Sequence, residues 1–260
     1  MKPLAKSDRT RLLLLGMGLA AGLLGGLLGI GGGVFIVPAL VLFLGFEQHR
    51  AHGTSLAIVM ALSVAAVISY FAHGNVDLVF SVGIAAGGMV GAVVGGGVVQ
   101  RINSTALRRI FCLFLVVTAA KMVYDGCVVK HAAASHVVHF CAHGALMAAG
   151  TGAFTGFLSA ILGVGGGIVM VPTLTVLLGF GQTLAQGTSL AAMLPIAFTG
   201  MLKHNRLGNV DRRVACWVGA GAVAGALVGS HLAHIVPPCH LKLTFGIFLT
   251  IMALLMAAKK

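Results

Sequence analysis

A glycine-interrupted apolar segment occurs twice in this chain, 134 positions apart. Gly29-Ile30-Gly31-Gly32-Gly33-Val34-Phe35-Ile36-Val37-Pro38 returns as Gly163-Val164-Gly165-Gly166-Gly167-Ile168-Val169-Met170-Val171-Pro172. At the same offset Gly53-Thr54-Ser55-Leu56-Ala57 returns as Gly187-Thr188-Ser189-Leu190-Ala191, and Gly74-Asn75-Val76-Asp77 returns as Gly208-Asn209-Val210-Asp211. Three matches without a gap make the chain two copies of one unit, so its fold must place the same elements twice. Glycine breaks at corresponding positions of two apolar halves are the pattern of a repeat-built transporter.

The elements are expected to be membrane helices. A soluble domain carries roughly 25% charged residues, whereas this chain is 8% charged and 58% hydrophobic. Leu12 to Gly33, Leu78 to Val99 and Ala215 to Ser230 contain no Asp, Glu, Lys or Arg. A bilayer crossing takes about 20 apolar residues as helix. The runs are continuous rather than alternating, which favours helices over a barrel. The fold class is therefore an all-α polytopic membrane protein.

The net charge of +12 reads as topology rather than as a nucleic-acid surface, because Lys and Arg sit in the connections. Lys2, Lys6, Arg9 and Arg11 place the N-terminus inside, and Arg101, Arg108 and Arg109 do the same for a later loop. The first Gly-Asn-Val-Asp connection lacks such residues. Its second copy is flanked by Lys203, Arg206, Arg212 and Arg213, while Ser230 to Leu241 has neither Lys nor Arg. Opposite bias in homologous loops predicts two inverted repeats with both termini cytoplasmic. Repeat 1 covers 1–125, a linker 126–140, and repeat 2 141–260. Five segments are expected in each: 12–30, 34–46, 54–72, 78–99 and 106–125, then 141–164, 168–180, 188–203, 212–234 and 240–258. The second segment of each repeat is short, so it either spans or re-enters.

The glycine runs carry the candidate site. Consecutive glycines cost a helix about 1 kcal/mol each relative to alanine, and backbone released in hydrocarbon must find partners or line a wet cavity. Each run precedes a short helix whose first amides have no intrahelical partner and form the positive end of its dipole. Two such ends facing each other would hold an anion without arginine. Pro38 and Pro172 are expected in the first turns of these helices, where a missing amide is tolerated. Gly53-Thr54-Ser55 and Gly187-Thr188-Ser189 precede apolar segments, which suits helix caps or hydroxyl donors to an oxyanion. Asn75 with Asp77, and Asn209 with Asp211, read as turn and cap residues. Gly83, Gly87, Gly91 and Gly95, four apart, read as a packing face.

Other classes find little support. The basic and apolar N-terminus resembles a leader, but its glycines align with Gly152, Gly156 and Gly163, so it is read as the first helix. No Gly-Lys-Ser/Thr follows the glycines and no acidic residue lies about 20 positions on, which excludes nucleotide-binding loops. No hydrolase pattern is present, and no cofactor is implied. Cys112, Cys127, Cys141, Cys216 and Cys239 lack paired spacing and read as small packing residues.

The doubled Gly-x-Gly-Gly-Gly-x-x-x-Val-Pro, with Gly-Thr-Ser-Leu and Gly-Asn-Val-Asp, resembles the TauE/SafE family of sulfite exporters, over essentially the whole chain. The resemblance implies an inner-membrane permease for sulfite, sulfoacetate, related organosulfonates or thiosulfate. It maps the family pattern onto Gly31, Gly32, Gly33, Pro38, Gly53, Thr54 and Ser55, and onto Gly165, Gly166, Gly167, Pro172, Gly187, Thr188 and Ser189. The residues agree independently on one point. Asp77, Asp125 and Asp211 fall near segment ends and Glu47 in a connection, so the interior lacks the carboxylate that a cation carrier would usually bury. The rival reading is a transition-metal permease. His131, His136 and His139-Phe140-Cys141-Ala142-His143, with His231, His234, Cys239 and His240, gather imidazole and thiolate on one expected face. A non-transporting structural protein would leave the duplicated breaks unexplained.

Overall fold

The computed structural model describes residues 8–99, 113, 115–124, 142–162 and 166–258. They form α1 (Asp8–Leu28), α2 (Gly33–Leu44), α3 (Gln48–Ala72), α4 (Leu78–Val99), α5 (Leu115–Tyr124), α6 (Ala142–Leu162), α7 (Gly167–Pro172), α8 (Gln182–Arg206), α9 (Arg212–Ile235) and α10 (Pro238–Ala258). Strands are absent among the described residues. Four of the helices, Thr10–Leu28, His49–Ala72, Gln182–Arg206 and Arg212–Ile235, are long and apolar enough to cross a membrane. Large side chains such as Leu12, Leu42, Phe43, Val82, Val93 and Leu177 point outward, as a surface solvated by lipid requires.

Two expectations are corrected. Gly53-Thr54-Ser55 and Gly187-Thr188-Ser189 do not cap their helices: α3 starts at Gln48 and α8 at Gln182, so both motifs lie inside. Pro38 and Pro172 fall in the second turn rather than the first. There a missing amide leaves the carbonyl of Val34 or Ile168 without its i+4 donor. After Pro172 the helix widens into a π-turn over Thr173–Leu177. The Thr173 and Thr175 hydroxyls donate to the carbonyls of Val169 (2.6 Å) and Val171 (3.0 Å), the i−4 back-bonding by which threonine bends a helix.

The short second helix does not span. At 12 residues and 1.5 Å per residue it covers about 18 Å, against about 30 Å of hydrocarbon. A Cβ on Gly31 would meet Val59 at 3.3 Å and one on Gly32 would meet Leu62 at 3.1 Å, so α2 starts at mid-height of α3. It then returns, through residues 45–47, to the end where α3 begins. The Tyr70 hydroxyl donates to Gly26 O (2.9 Å), which puts the C-terminal turns of α1 and α3 side by side.

Helix packing follows small residues. Gly18, Gly22 and Gly26 of α1 meet the backbone of α9 at Val218, Ala222 and Ala226, while Gly221, Gly225 and Gly229 of α9 meet α1 at Leu15, Leu19 and Leu23. Gly87 and Gly91 of α4 meet Ala149 and Ala153 of α6, and Gly152 and Gly156 of α6 meet Ile84 and Gly88 of α4. The packing expected of Gly87 and Gly91 is thus observed. Contacts within one interface recur in the other at an offset of 134, as two units related by a twofold rotation would give. The homologous helices α3 and α8 run antiparallel, since Gly53 meets His204, Leu56 meets Gly200 and Tyr70 meets Gly187.

Candidate functional site

The two glycine breaks converge at the centre. Gly29, Gly31 and Gly32 take φ of 71°, 70° and 66°, a region that other residues enter only with strain. This lets the chain reverse between α1 and α2. A side chain on Gly167 would come within 2.5 Å of the Ile30 backbone, so the breaks touch. The second break differs locally, because Gly166 caps α7 with φ of −62°. Gly165 lies outside the described residues. Gly32 O accepts from the amides of Phe35 and Ile36, and Gly166 O accepts from those of Val169 and Met170. In neither helix do the first amides have an intrahelical acceptor.

A cavity of about 120 Å³ opens beside these ends. Gly33 and Gly166 contribute backbone to its wall, Ser55 and His52 the polar side chains, and Met170, Met193, Val59 and Ile196 much of its apolar lining. His52 and Ser55 are one turn apart on α3 and therefore share a face. Low polarity around a few convergent polar groups is the usual make-up of a small-molecule site. Gly33 and Gly166 are also open positions. A Cβ on Gly33 would meet Val59 at 3.4 Å, and one on Gly166 would meet the flexible end of Met170 at 3.4 Å.

Of the residues singled out from sequence, Gly33, Ser55 and Gly166 line this cavity. Gly31, Gly32 and Gly167 shape the turns behind it. Pro38 is exposed on the outer side of α2 while Pro172 is buried. Ser189 is fully buried. Gly53 and Thr54, with Gly187 and Thr188, occupy two junctions instead. There Thr54 Oγ1 accepts from the Asp211 amide (3.0 Å) and Thr188 Oγ1 from the Asp77 amide (3.1 Å). Gly53 and Gly187 leave room for the carbonyls of Asn209 and Asn75. Each Gly-Thr pair thus holds the Gly-Asn-Val-Asp turn of the other repeat. Asp77 and Asp211 in turn cap α4 and α9, accepting from Phe80 N (2.8 Å) and Val214 N (3.1 Å).

Sequence reasoning missed His52, Met170 and Met193. The available signal for His52 was its position three residues before Ser55, on the same helical face. For the metal reading, His131, His136, His139 and Cys141 lie outside the described residues, as does the side chain of His143. His234 stacks on His73 at 4.0 Å, with His231 at 6.3 Å from His73. Among the described residues no group of three or more His, Cys, Asp or Glu is placed to hold a metal ion.

The sequence profile of the family described as "Sulfite exporter TauE/SafE" matches residues 2–122 and 148–260. The chain is 27% identical over 240 residues to "Probable membrane transporter protein YunE" of Bacillus subtilis (strain 168), covering 84% of this chain and 86% of that one. A "Probable membrane transporter protein" of Xylella fastidiosa (strain 9a5c) is 30% identical over 219 residues, 84% and 81% of the two chains. Another, from Haemophilus influenzae (strain ATCC 51907 / DSM 11121 / KW20 / Rd), is 26% identical over 267 residues, 95% and 98%. No solved structure matches the chain.

Proposed function

Because the chain belongs to the TauE/SafE sulfite exporter family, a family of multi-pass membrane transporters, we propose that it carries small sulfur-containing anions across the inner membrane. Sulfite, sulfoacetate or another organosulfonate, and thiosulfate are the candidate substrates. The carrying observation is the cavity where Gly33 and Gly166 present backbone beside Ser55 and His52. An oxyanion there meets oriented amides and a hydroxyl in surroundings of low dielectric, where such dipoles act strongly. His52 is the titratable side chain among the described residues of the wall, and a neutral imidazole can still donate one ring N–H to an oxyanion.

Both termini are cytoplasmic in this reading, and the repeats lie inverted in the bilayer. The antiparallel packing of α3 against α8 supports that arrangement. The transport cycle is alternating access, with one repeat moving against the other around the central site.

The test is flux into proteoliposomes with sulfite, thiosulfate, sulfoacetate and sulfate. Gly33→Ala and Gly166→Ala add a methyl group at open positions, so insertion and melting temperature should be preserved. Flux of one sulfur anion should fall about tenfold in each, the effect of roughly 1.4 kcal/mol at the site. Saturable transport unchanged in both variants would remove the site assignment, and absence of flux for every sulfur anion would remove the substrate class.

A further inference from the structure

The α3 side of the cavity has a counterpart in the second repeat. At the offset of 134, His52 and Ser55 correspond to Gln186 and Ser189 of α8, and Gln48 one turn earlier corresponds to Gln182. Gln182, Gln186 and Ser189 are spaced so that they share one helical face. All three are buried, at 2%, 0% and 0% exposure. Among the described residues, Gln182 Nε2 and Oε1, Gln186 Nε2 and Ser189 Oγ have no hydrogen-bond partner. Gln186 Oε1 alone is served, by the Tyr70 hydroxyl at 3.2 Å.

A buried donor or acceptor left unmade carries its full desolvation penalty, and apolar side chains of the same shape would avoid it. Such a stripe calls for a physical reason. The packing supplies one, since the contacts of the two repeats interchange at the offset of 134. If the repeats exchange conformations, Gln182, Gln186 and Ser189 take the place now held by the His52–Ser55 wall. What covers the stripe is also visible. The Gly29 turn of the first break lies on Gln186, and a Cβ on Gly29 would come within 2.5 Å of Gln186 Cβ.

We propose that Gln182, Gln186 and Ser189 form the polar wall of a second half-pathway. It is closed in this conformation and fills with water and substrate when the Gly29 turn withdraws and the His52–Ser55 cavity shuts. For the anion the proposal rests on the transport reading above; for the water-filled passage it does not. In that topology Ser55 faces the cytoplasmic half of the membrane and the stripe faces the outer half.

Single cysteines in the full chain, with its own cysteines replaced by serine, test this directly. A membrane-impermeant thiosulfonate reagent is applied to vesicles of each orientation. Ser55→Cys should be modified from the cytoplasmic face, and Gln182→Cys and Ser189→Cys from the opposite face. No modification of the two stripe positions from either side, or modification from the same side as Ser55→Cys, overturns the proposal. Ser189→Ala and Gln182→Leu give a second readout. Sulfite flux should fall about tenfold, equivalent to about 1.4 kcal/mol, at an unchanged or raised melting temperature. A lower melting temperature with unchanged flux would mark the stripe as structural and overturn the proposal. The labelling needs no substrate, so its outcome is separate from that of the anion reading. Opposite-face labelling in a protein that moves no sulfur anion keeps the passage and discards the substrate, whereas sulfite transport without that labelling discards this inference alone.

Discussion

At one junction Gly53 and Thr54 hold the Asn209–Asp211 turn, and at the other Gly187 and Thr188 hold Asn75–Asp77. The inner contacts are the same, a threonine hydroxyl receiving the aspartate amide and a glycine admitting a carbonyl. The outer contacts have diverged. Arg50 donates to Asp211 at 2.6 Å across the first junction, where the equivalent residue of the second repeat is Leu184. The second junction is instead tied by Ser81, whose hydroxyl lies 3.1 Å from Thr188 O and 2.6 Å from Asp77 O; its counterpart is Ala215. Backbone geometry therefore sets what both repeats must keep. Either an ion pair or a hydroxyl suffices to secure it.

The largest effect should come from the shared layer. Gly53→Ala and Gly187→Ala each drive a Cβ into a backbone carbonyl of the opposite repeat. Neither neighbour is a flexible side-chain end, so both variants should lose most of the folded protein, measured as the monodisperse fraction after solubilisation. A variant that purifies normally would show that its junction is not a fixed contact.

Thr54→Val and Thr188→Val come next. Each leaves an aspartate amide without its acceptor, at a cost of about 1–3 kcal/mol, and the two losses should be similar in thermal unfolding. A large difference would break the equivalence of the inner layers.

The smallest effects should separate the outer layers. Arg50→Leu removes a partly exposed pair, with side chains 33% and 20% accessible, at a cost of about 1 kcal/mol or less. That loss should shrink as salt is raised, because exposed charges are screened. Ser81→Ala removes a neutral hydrogen bond worth about 1 kcal/mol, and melting at low and high salt should show the same decrement. Equal salt sensitivity in both variants would contradict the distinction.

Much of the architecture was legible before any coordinates. The long apolar runs became α1, α4 and α9, and the glycine runs became the breaks before α2 and α7. Local signals carried that information, since apolar length and consecutive glycines act over a few residues. The Gly-Thr-Ser motifs were harder. They resemble caps in sequence, yet Gln48-His49-Arg50 and Gln182-Thr183-Leu184 extend their helices by more than a turn. Their partners lie in the other repeat, over 100 residues away, and no local pattern announces them. His52 illustrates the same limit. Its spacing from Ser55 was visible, but not that this face of α3 borders a cavity while the matching face of α8 is covered by Gly29.

By itself the sequence determined that two like units are embedded in a membrane, that each carries a glycine-broken helix, and that carboxylates are kept out of the apolar segments. Those properties follow from composition and short-range backbone preference. Tertiary structure alone decided which motif grips which, that α2 turns back instead of crossing, and that three of the thirteen described residues among those singled out reach the cavity. The physical reason is that these outcomes depend on how small residues let two repeats approach. Close approach is a property of paired surfaces, and neither surface shows in its own sequence what it will face.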